Sequence, residues 1–342
     1  MCNQWLLKLP ISKFLEGMNQ SDMIIASPTS FHKLPESVQE YIHKKFNHVF
    51  LTSELSYDNI LQKCPKNSSS IIGIGGGTAI DYAKYVTKNL HKVSCTAIVS
   101  MLSTNAFATN KVAVIDSKGK HTEQAVLPDY VVFDFEYLQK SEQENLYGLV
   151  DVFSIFNALR DWTFSDVNQV EKIDLAIYQK AEKLLQKAVS IAKDIASGSP
   201  IDYKELIDVI VNSGYITNEY GSGRPESGSE HILASALETR FPMPHALAVT
   251  LGIYTMTYFN SYNSFMSEHE DCLNFDELPF DELGIISQVN NLGLSYYDLY
   301  DVISGLKPRA DKFTLVDILR QNKADYARLR SWLENKQFIF RG

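Results

Sequence analysis

The feature that most constrains the fold is a change in hydrophobic period near residue 140. Up to about residue 135, short Ile- and Val-rich runs alternate with segments of helical spacing. Uninterrupted apolar strands separated by helices predict a largely parallel sheet that is covered on both faces. The predicted strands are residues 22–27, 48–52, 70–75, 95–100, 111–116 and 130–134, and helical spacing is clearest in residues 34–46 and 79–90.

After about residue 145, long segments with 3.6-residue spacing take over, and strand-like alternation is nearly absent. The longest are residues 172–197, 203–217 and 245–259. We therefore predict an α/β N-terminal domain over 1–145 and an all-α C-terminal domain over 146–342, with the boundary in the polar segment 137–148. A cleft between two such domains is the expected place for a ligand.

Composition excludes several classes of function. The chain has 342 residues and a formal net charge of −9, which argues against a general nucleic-acid binder. It contains no apolar run near the roughly 20 residues that a membrane span requires, and its first residues lack a basic lead and a cleavage motif, so we expect no signal peptide. The four cysteines, Cys2, Cys64, Cys95 and Cys272, are widely spaced, which favours reduced thiols in a cytoplasmic protein.

A glycine triplet, Gly75–Gly77, joins a predicted strand to a predicted helix. Glycine lets the backbone approach a bound group, and the free N–H groups at a helix N-terminus favour a phosphate. A tight turn without a ligand is the alternative. The spacing also differs from the usual GxGxxG fingerprint of dinucleotide-binding proteins.

Two histidines of the helical half, His231 and His245, each begin a helical stretch, and Asp151 lies within an otherwise apolar helical pattern. Zinc and ferrous iron accept two imidazoles and a carboxylate, and a cation would compensate a buried acid. Spacing alone nevertheless favours ordinary polar residues at all three positions.

Several segments together resemble one superfamily. They are GGGTAIDYAK (75–84), IVSMLSTNAFATN (98–110), LPDYVVFD (127–134), YGLVDVFSIFNALRDW (147–162), GRPESGSEH (223–231) and PMPHALAV (242–249). In this order they resemble the iron-containing alcohol dehydrogenase and dehydroquinate synthase superfamily, and within it most of all the sn-glycerol-1-phosphate dehydrogenases. The similarity covers nearly the whole chain and implies a Rossmann-like domain followed by a dehydroquinate synthase-like helical domain.

The resemblance also implies roles for residues. It assigns Asp151, His231 and His245 as ligands of one divalent metal, for which we favour zinc over iron. It implies a bound NAD or NADP. The implied nucleotide contacts are Gly75, Gly76, Gly77, Thr78, Asp81, Ser100, Ser103 and Thr104.

The implied reaction is the metal-dependent, NAD(P)H-linked reduction of a dihydroxyacetone-phosphate-like ketose or aldose phosphate to a polyol phosphate. Asn105 stands where dehydrogenase relatives usually carry Asp, and Ser235 stands where many carry a second helix histidine, so the proton donor is open. The Ser235 hydroxyl is one candidate. Lys111 or Arg224 would bind the substrate phosphate, with surface salt bridges as the alternative for both.

Two other functions stay open. One is a sugar phosphate cyclase of the dehydroquinate synthase type, a lyase in which NAD is oxidised and reduced within one turnover. The other is a scaffold of the same fold that has lost activity. We also expect a homo-oligomer, which is common for such folds.

Overall fold

The computed structural model describes residues 5–65, 67–90, 92–116, 119–261, 274–319 and 326–341. The chain divides into two compact units, Met1–Gly148 and Leu149–Gly342. Cys64 and Cys95 are free thiols, while Cys2 and Cys272 lie outside the described residues.

The first unit is built on a six-stranded sheet with the order β1-β8-β5-β4-β2-β3, in which every pairing is parallel. This confirms the predicted parallel sheet. The strands of the unit are β1 (Trp5–Lys8), β2 (Met23–Ala26), β3 (His48–Leu51), β4 (Ser70–Gly75), β5 (Ser94–Val99), β6 (Lys111–Asp116), β7 (Gly119–Gln124) and β8 (Tyr130–Phe133).

Helices cover both faces of this sheet. Because alternate residues of a strand point to opposite faces, neighbouring residues pack against different helices. In β2, Ile24 packs in one apolar cluster with residues of α1 to α3, whereas Ile25 packs in another with residues of α4 and α5. The helices are α1 (Ile11–Glu16), α2 (Pro28–Lys33), α3 (Glu36–Lys45), α4 (Ile60–Lys63), α5 (Gly77–Lys88), α6 (Phe135–Leu138) and α7 (Glu142–Asn145).

The strand β6 has a different environment from the one its sequence suggests. Its apolar run predicts a strand of the parallel sheet, but β6 pairs with β7 in an antiparallel two-stranded hairpin. Val112 and Val114 still pack in one of the two cores of the unit, which explains the apolar residues. The outward positions include Ile115, which is 62% exposed.

The second unit is helical, as predicted, and its long helices begin at clear capping residues. Asp174 accepts N–H bonds at the start of α10, and Asp202 does so at the start of α11. None of the helices in the described part of the chain is long and apolar enough to cross a membrane. The helices are α8 (Tyr147–Phe153), α9 (Ile155–Val167), α10 (Leu175–Ala196), α11 (Tyr203–Tyr220), α12 (Ser229–Arg240), α13 (His245–Ser261), α14 (Ile285–Asn291), α15 (Tyr296–Gly305), α16 (Leu315–Leu319) and α17 (Tyr326–Asn335).

Candidate active site

The glycine triplet forms the turn between β4, which ends at Gly75, and α5, which begins at Gly77. Gly76 is the N-cap residue of α5 and has no side chain that could accept the first N–H groups of the helix. A Cβ on Gly76 would also lie 3.3 Å from Met101 and reduce the space beside these groups. The turn therefore offers backbone donors and the positive end of a helix dipole to an anion.

The position of this turn in the sheet agrees with that chemistry. The strand order reverses at β2, whose neighbours are β3 on one side and β4 on the other. In open parallel sheets, ligands bind outside the carboxyl ends of the strands at such a switch point. Gly75 lies at the carboxyl end of β4, and a Cβ built there would be 3.2 Å from the Oγ of Ser27, which follows β2.

Two of the predicted nucleotide contacts lie beside the triplet. The Ser103 Oγ is 3.4 Å from a Cβ built on Gly76, and the Thr104 Oγ1 is 3.1 Å from one built on Gly77. Thr78 is exposed in the first turn of α5. The 103–104 loop and the glycine turn thus form one polar surface.

Ser100 and Asp81 are instead held within the protein. The buried Ser100 Oγ is 2.8 Å from the Ser30 Oγ. The Asp81 carboxylate accepts the backbone N–H of Ala113 at 3.1 Å and lies 3.3 Å from the buried ammonium of Lys84. The contact with Ala113 connects α5 to β6, which indicates that Asp81 has a structural role and supports the segment between these two elements.

The other two predicted residues of this unit flank the same loop. Asn105 is the N-cap of a short 3-10 turn, and its carbonyl accepts the N–H of Ala108 at 2.7 Å. Lys111 begins β6, and its ammonium donates to the Gln124 side chain at 2.7 Å.

In the helical unit, Asp151, His231 and His245 come together. One potential ligand atom from each lies within 4.8 Å of the other two. The His231 Nε2 is 3.3 Å from the Asp151 Oδ1, and the His245 Nε2 is 3.6 Å from the same oxygen. Two imidazoles and one carboxylate therefore converge in the set of donors that Zn²⁺ and Fe²⁺ accept.

The electrostatics of this cluster favour positive charge at its centre. Burial alone would raise the pKa of Asp151, but hydrogen bonds from His231 and His245 hold it well below its usual range. Burial alone would lower the pKa of His231, but hydrogen bonds to Asp151 and Glu230 raise it to about 10. The pKa of His245 is raised as well, against the effect of burial, by Asp151 and Glu238. Lone pairs that converge in this way need a proton or a cation between them, so the three residues fit a metal ion.

Packing between helices brings the three residues together. Asp151 lies on α8, His231 in the first turn of α12, and His245 at the first residue of α13. A Cβ on Gly252 of α13 would be 2.9 Å from the carbonyl carbon of Glu230 and closer still to its oxygen. Only glycine at position 252 allows α12 and α13 to approach this closely.

Asp161, in the sequence RDW, fixes the start of α12. It is 1% exposed, and its carboxylate accepts the backbone N–H of Ser229 and, at 2.8 Å, that of Leu315. Burial and the nearby charge of Glu230 raise the pKa of Asp161 to about 6. Asp161 therefore holds the first turn of α12, which carries His231, through its backbone.

The structure gives Ser235 and Arg224 different surroundings. Ser235 is half-buried one helical turn after His231, on the same face of α12. Arg224 is only 1% exposed, and its Nε is 3.1 Å from the Glu171 carboxylate. This burial favours an ion-pair role for Arg224 over the substrate-phosphate role that the sequence suggests.

Sequence reasoning assigned no role to two glutamates that contact the histidines. The Glu230 Oε1 is 2.8 Å from the His231 Nδ1, and the Glu238 Oε1 is 3.2 Å from the His245 Nδ1. A signal was present, because Glu238 lies two helical turns after His231 and so shares its face of α12.

Comparisons with known proteins agree with this fold. Residues 14–141 match the family model described as iron-containing alcohol dehydrogenase. The chain is 25% identical over 265 residues to glycerol-1-phosphate dehydrogenase (NAD(P)+) of Methanosarcina acetivorans, with 74% of each chain covered. It is 27% identical over 270 residues to the protein of that name from Sulfurisphaera tokodaii, with 74% of this chain and 75% of the relative covered.

A solved structure shows the same fold. Glycerol dehydrogenase from Schizosaccharomyces pombe aligns with a TM-score of 0.61 at 14% identity, over 99% of this chain and 93% of that one. Residues 14–141 are therefore similar to the iron-containing alcohol dehydrogenases, and the chain as a whole has the fold of glycerol dehydrogenase. Its sequence is similar to the glycerol-1-phosphate dehydrogenases, which confirms the resemblance carried by the motifs.

Proposed function

We propose that this chain is a metal-dependent, NAD(P)H-linked dehydrogenase that reduces a dihydroxyacetone-phosphate-like ketose or aldose phosphate to a polyol phosphate such as sn-glycerol 1-phosphate. The observation that carries the proposal is the convergence of Asp151, His231 and His245, whose ligand atoms lie within 4.8 Å of one another. The glycerol-1-phosphate dehydrogenases among its relatives supply the substrate class.

Asp151, His231 and His245 would hold the cation, and zinc is the ion we propose. When bound, a divalent cation polarises the substrate carbonyl and stabilises the negative charge that develops on its oxygen, while the reduced nicotinamide supplies the hydride. Asp151 contributes one formal negative charge to a cluster whose other two ligands are neutral, so a net positive charge remains to act on the carbonyl.

The glycine turn would bind the pyrophosphate of the nucleotide. Its backbone N–H groups at the start of α5 point to the carboxyl end of the sheet, and Ser103 and Thr104 lie beside them with hydroxyl groups that can donate to phosphate oxygens. Because these donors would contact the pyrophosphate and not the ribose, they are compatible with both NADH and NADPH.

Ser235 is the group we propose for proton delivery to the product oxygen. It lies on the same face of α12 as His231, where relatives often carry a histidine. A serine hydroxyl both donates and accepts, so it can pass a proton from solvent without changing its own charge. Lys111 is our candidate for the substrate phosphate, because an ammonium binds phosphate as a point charge.

The test is a screen of cofactor oxidation by the full-length chain. NADH and NADPH would be offered with dihydroxyacetone phosphate, with longer ketose and aldose phosphates, and with their unphosphorylated counterparts. We expect net oxidation with a phosphorylated substrate, loss of the rate after treatment with a chelator, and recovery on adding Zn²⁺ or Fe²⁺. Metal analysis of the purified protein would identify the ion.

Two results would refute the proposal in different ways. Product formation from a sugar phosphate with no net change in NAD(P)H would indicate a cyclase of the dehydroquinate synthase type. Absence of turnover together with failure to retain metal or nucleotide would indicate a scaffold that has lost activity.

A further inference from the structure

Each histidine of the cluster is held from its far side by a carboxylate. Both imidazoles face Asp151 through Nε2. Their Nδ1 atoms face glutamates of the same helix, α12: Glu230 Oε1 at 2.8 Å from His231, and Glu238 Oε1 at 3.2 Å from His245.

These contacts determine the tautomer of both rings. When a cation is bound at Nε2, the proton of each neutral imidazole lies on Nδ1, where the ionised glutamate accepts it. The lone pair of each ring is then on Nε2, which is directed at Asp151. Both rings are thereby prepared to bind one cation through the same type of nitrogen.

The two glutamates differ in how much else they support. Glu230 is fully buried, and its Oε1 also accepts the N–H of Gly228 at 2.6 Å. Its replacement would disturb the start of α12 as well as His231. The Glu238 side chain is 17% exposed and extends from near the end of α12 to His245, the first residue of α13. It joins two helices at the ligand itself.

Charge adds to the effect of orientation. Three carboxylates, those of Asp151, Glu230 and Glu238, lie within hydrogen-bonding range of the two rings. A carboxylate that accepts the Nδ1 proton also makes the imidazole a more basic ligand. Removing the charge of Glu238 should therefore weaken the binding of the metal ion even if the His245 ring does not rotate.

We infer that Glu238 is a positioning residue that sets the affinity of the site for its metal by fixing the tautomer, orientation and basicity of His245. Glu230 does the same for His231. This inference rests on the proposed function only in that a cation binds at the three ligands.

The experiment measures metal affinity in the full-length chain. Zn²⁺ would be titrated against a chromogenic chelator with wild type, Glu238→Ala and Glu238→Gln, and Co²⁺ would serve as a spectroscopic probe through its d–d absorption. Glu219→Gln is the matched control, because Glu219 is a half-exposed helical glutamate of the same unit that pairs with Lys180 at its surface.

Glu238→Ala should lower the affinity for Zn²⁺ about 10- to 100-fold and change the Co²⁺ spectrum, because the ring loses its orientation. Glu238→Gln should lie between Ala and wild type, since the amide oxygen still accepts from Nδ1 but carries no charge. Glu219→Gln should match wild type in both measurements. If Glu238→Ala does not fold, Glu238→Gln, which has nearly the same shape, keeps the test valid.

Wild-type affinity and an unchanged Co²⁺ spectrum in both Glu238 variants would overturn the inference while leaving the proposed function standing. A lower metal-free melting temperature with unchanged affinity would also overturn it, because it would show that Glu238 only stabilises the fold. If wild type itself binds neither Zn²⁺ nor Co²⁺, the metal-dependent function fails together with the inference.

Discussion

Replacing Gly252 with alanine tests whether the approach of α12 to α13 builds the metal site. Gly252 lies inside α13, where alanine would normally be better by about 1 kcal/mol because glycine loses more backbone entropy in a helix. Here the added methyl would fall 2.9 Å from the carbonyl carbon of Glu230 and closer to its oxygen, about 1 Å inside ordinary contact. Backbone atoms cannot rotate away, so the helices must separate.

The expected loss of stability follows from these two opposing effects. Overpacking against rigid neighbours costs up to about 3 kcal/mol, which leaves a net loss of about 2 kcal/mol in the free energy of unfolding after the gain in helix propensity. For a unit of this size that corresponds to a fall of roughly 4–8 °C in melting temperature. Because His231 and His245 lie on the two separating helices, activity should fall by up to about 100-fold.

Calorimetry of the metal-free protein, chelator competition for Zn²⁺ and the cofactor-oxidation assay measure these effects together. Gly305→Ala is the matched control: it adds the same methyl at the end of α15, where a Cβ meets nothing within 4 Å. It should leave the melting temperature unchanged or slightly higher. A Gly252→Ala variant with wild-type melting temperature and metal affinity would refute the reasoning that close backbone approach positions the ligands.

Three further predictions concern the two candidate binding sites. Asp151→Asn should reduce Zn²⁺ affinity by at least about 10-fold and activity with it, because the site loses its only charged ligand; unaltered chelator competition would contradict this. Gly76→Val should raise the KM for NAD(P)H about 10-fold or more with a smaller change in kcat, since its side chain covers the donors at the start of α5; an unchanged KM would argue against nucleotide binding there. In metal-free protein, the pKa of His231 is about 10 in the folded state, above the unfolded value of about 6.5. The contribution of His231 to stability is therefore complete below about pH 6.5 and is lost as the pH rises toward 10. The difference in melting temperature between wild type and His231→Gln should therefore shrink over that range, and a constant difference would show that the histidine does not titrate as described.

Much of the fold follows from local sequence patterns. Burial of a strand on both faces demands an uninterrupted apolar run, and the runs at 22–27, 70–75 and 130–134 correspond to β2, β4 and β8. Likewise, the period of residues 203–217 predicts α11, and the motifs carried the resemblance to glycerol-1-phosphate dehydrogenases that the comparisons confirm. Such patterns record whether each residue is buried, and that information is carried by near neighbours in the chain.

Other features depend on contacts between distant segments, which periodicity does not record. The run at 111–116 shows that β6 has a buried face, but only pairing with the polar β7 makes it part of a hairpin. The spacing of Asp151, His231 and His245 left metal ligands and ordinary polar residues both open; they meet because helices pack, with Gly252 permitting the contact. The same packing decides that Glu238 faces His245. The sequence alone determined the types of element and the chemical groups available. Tertiary structure decided which groups face one another, because close packing depends on the shapes of surfaces that lie far apart along the chain.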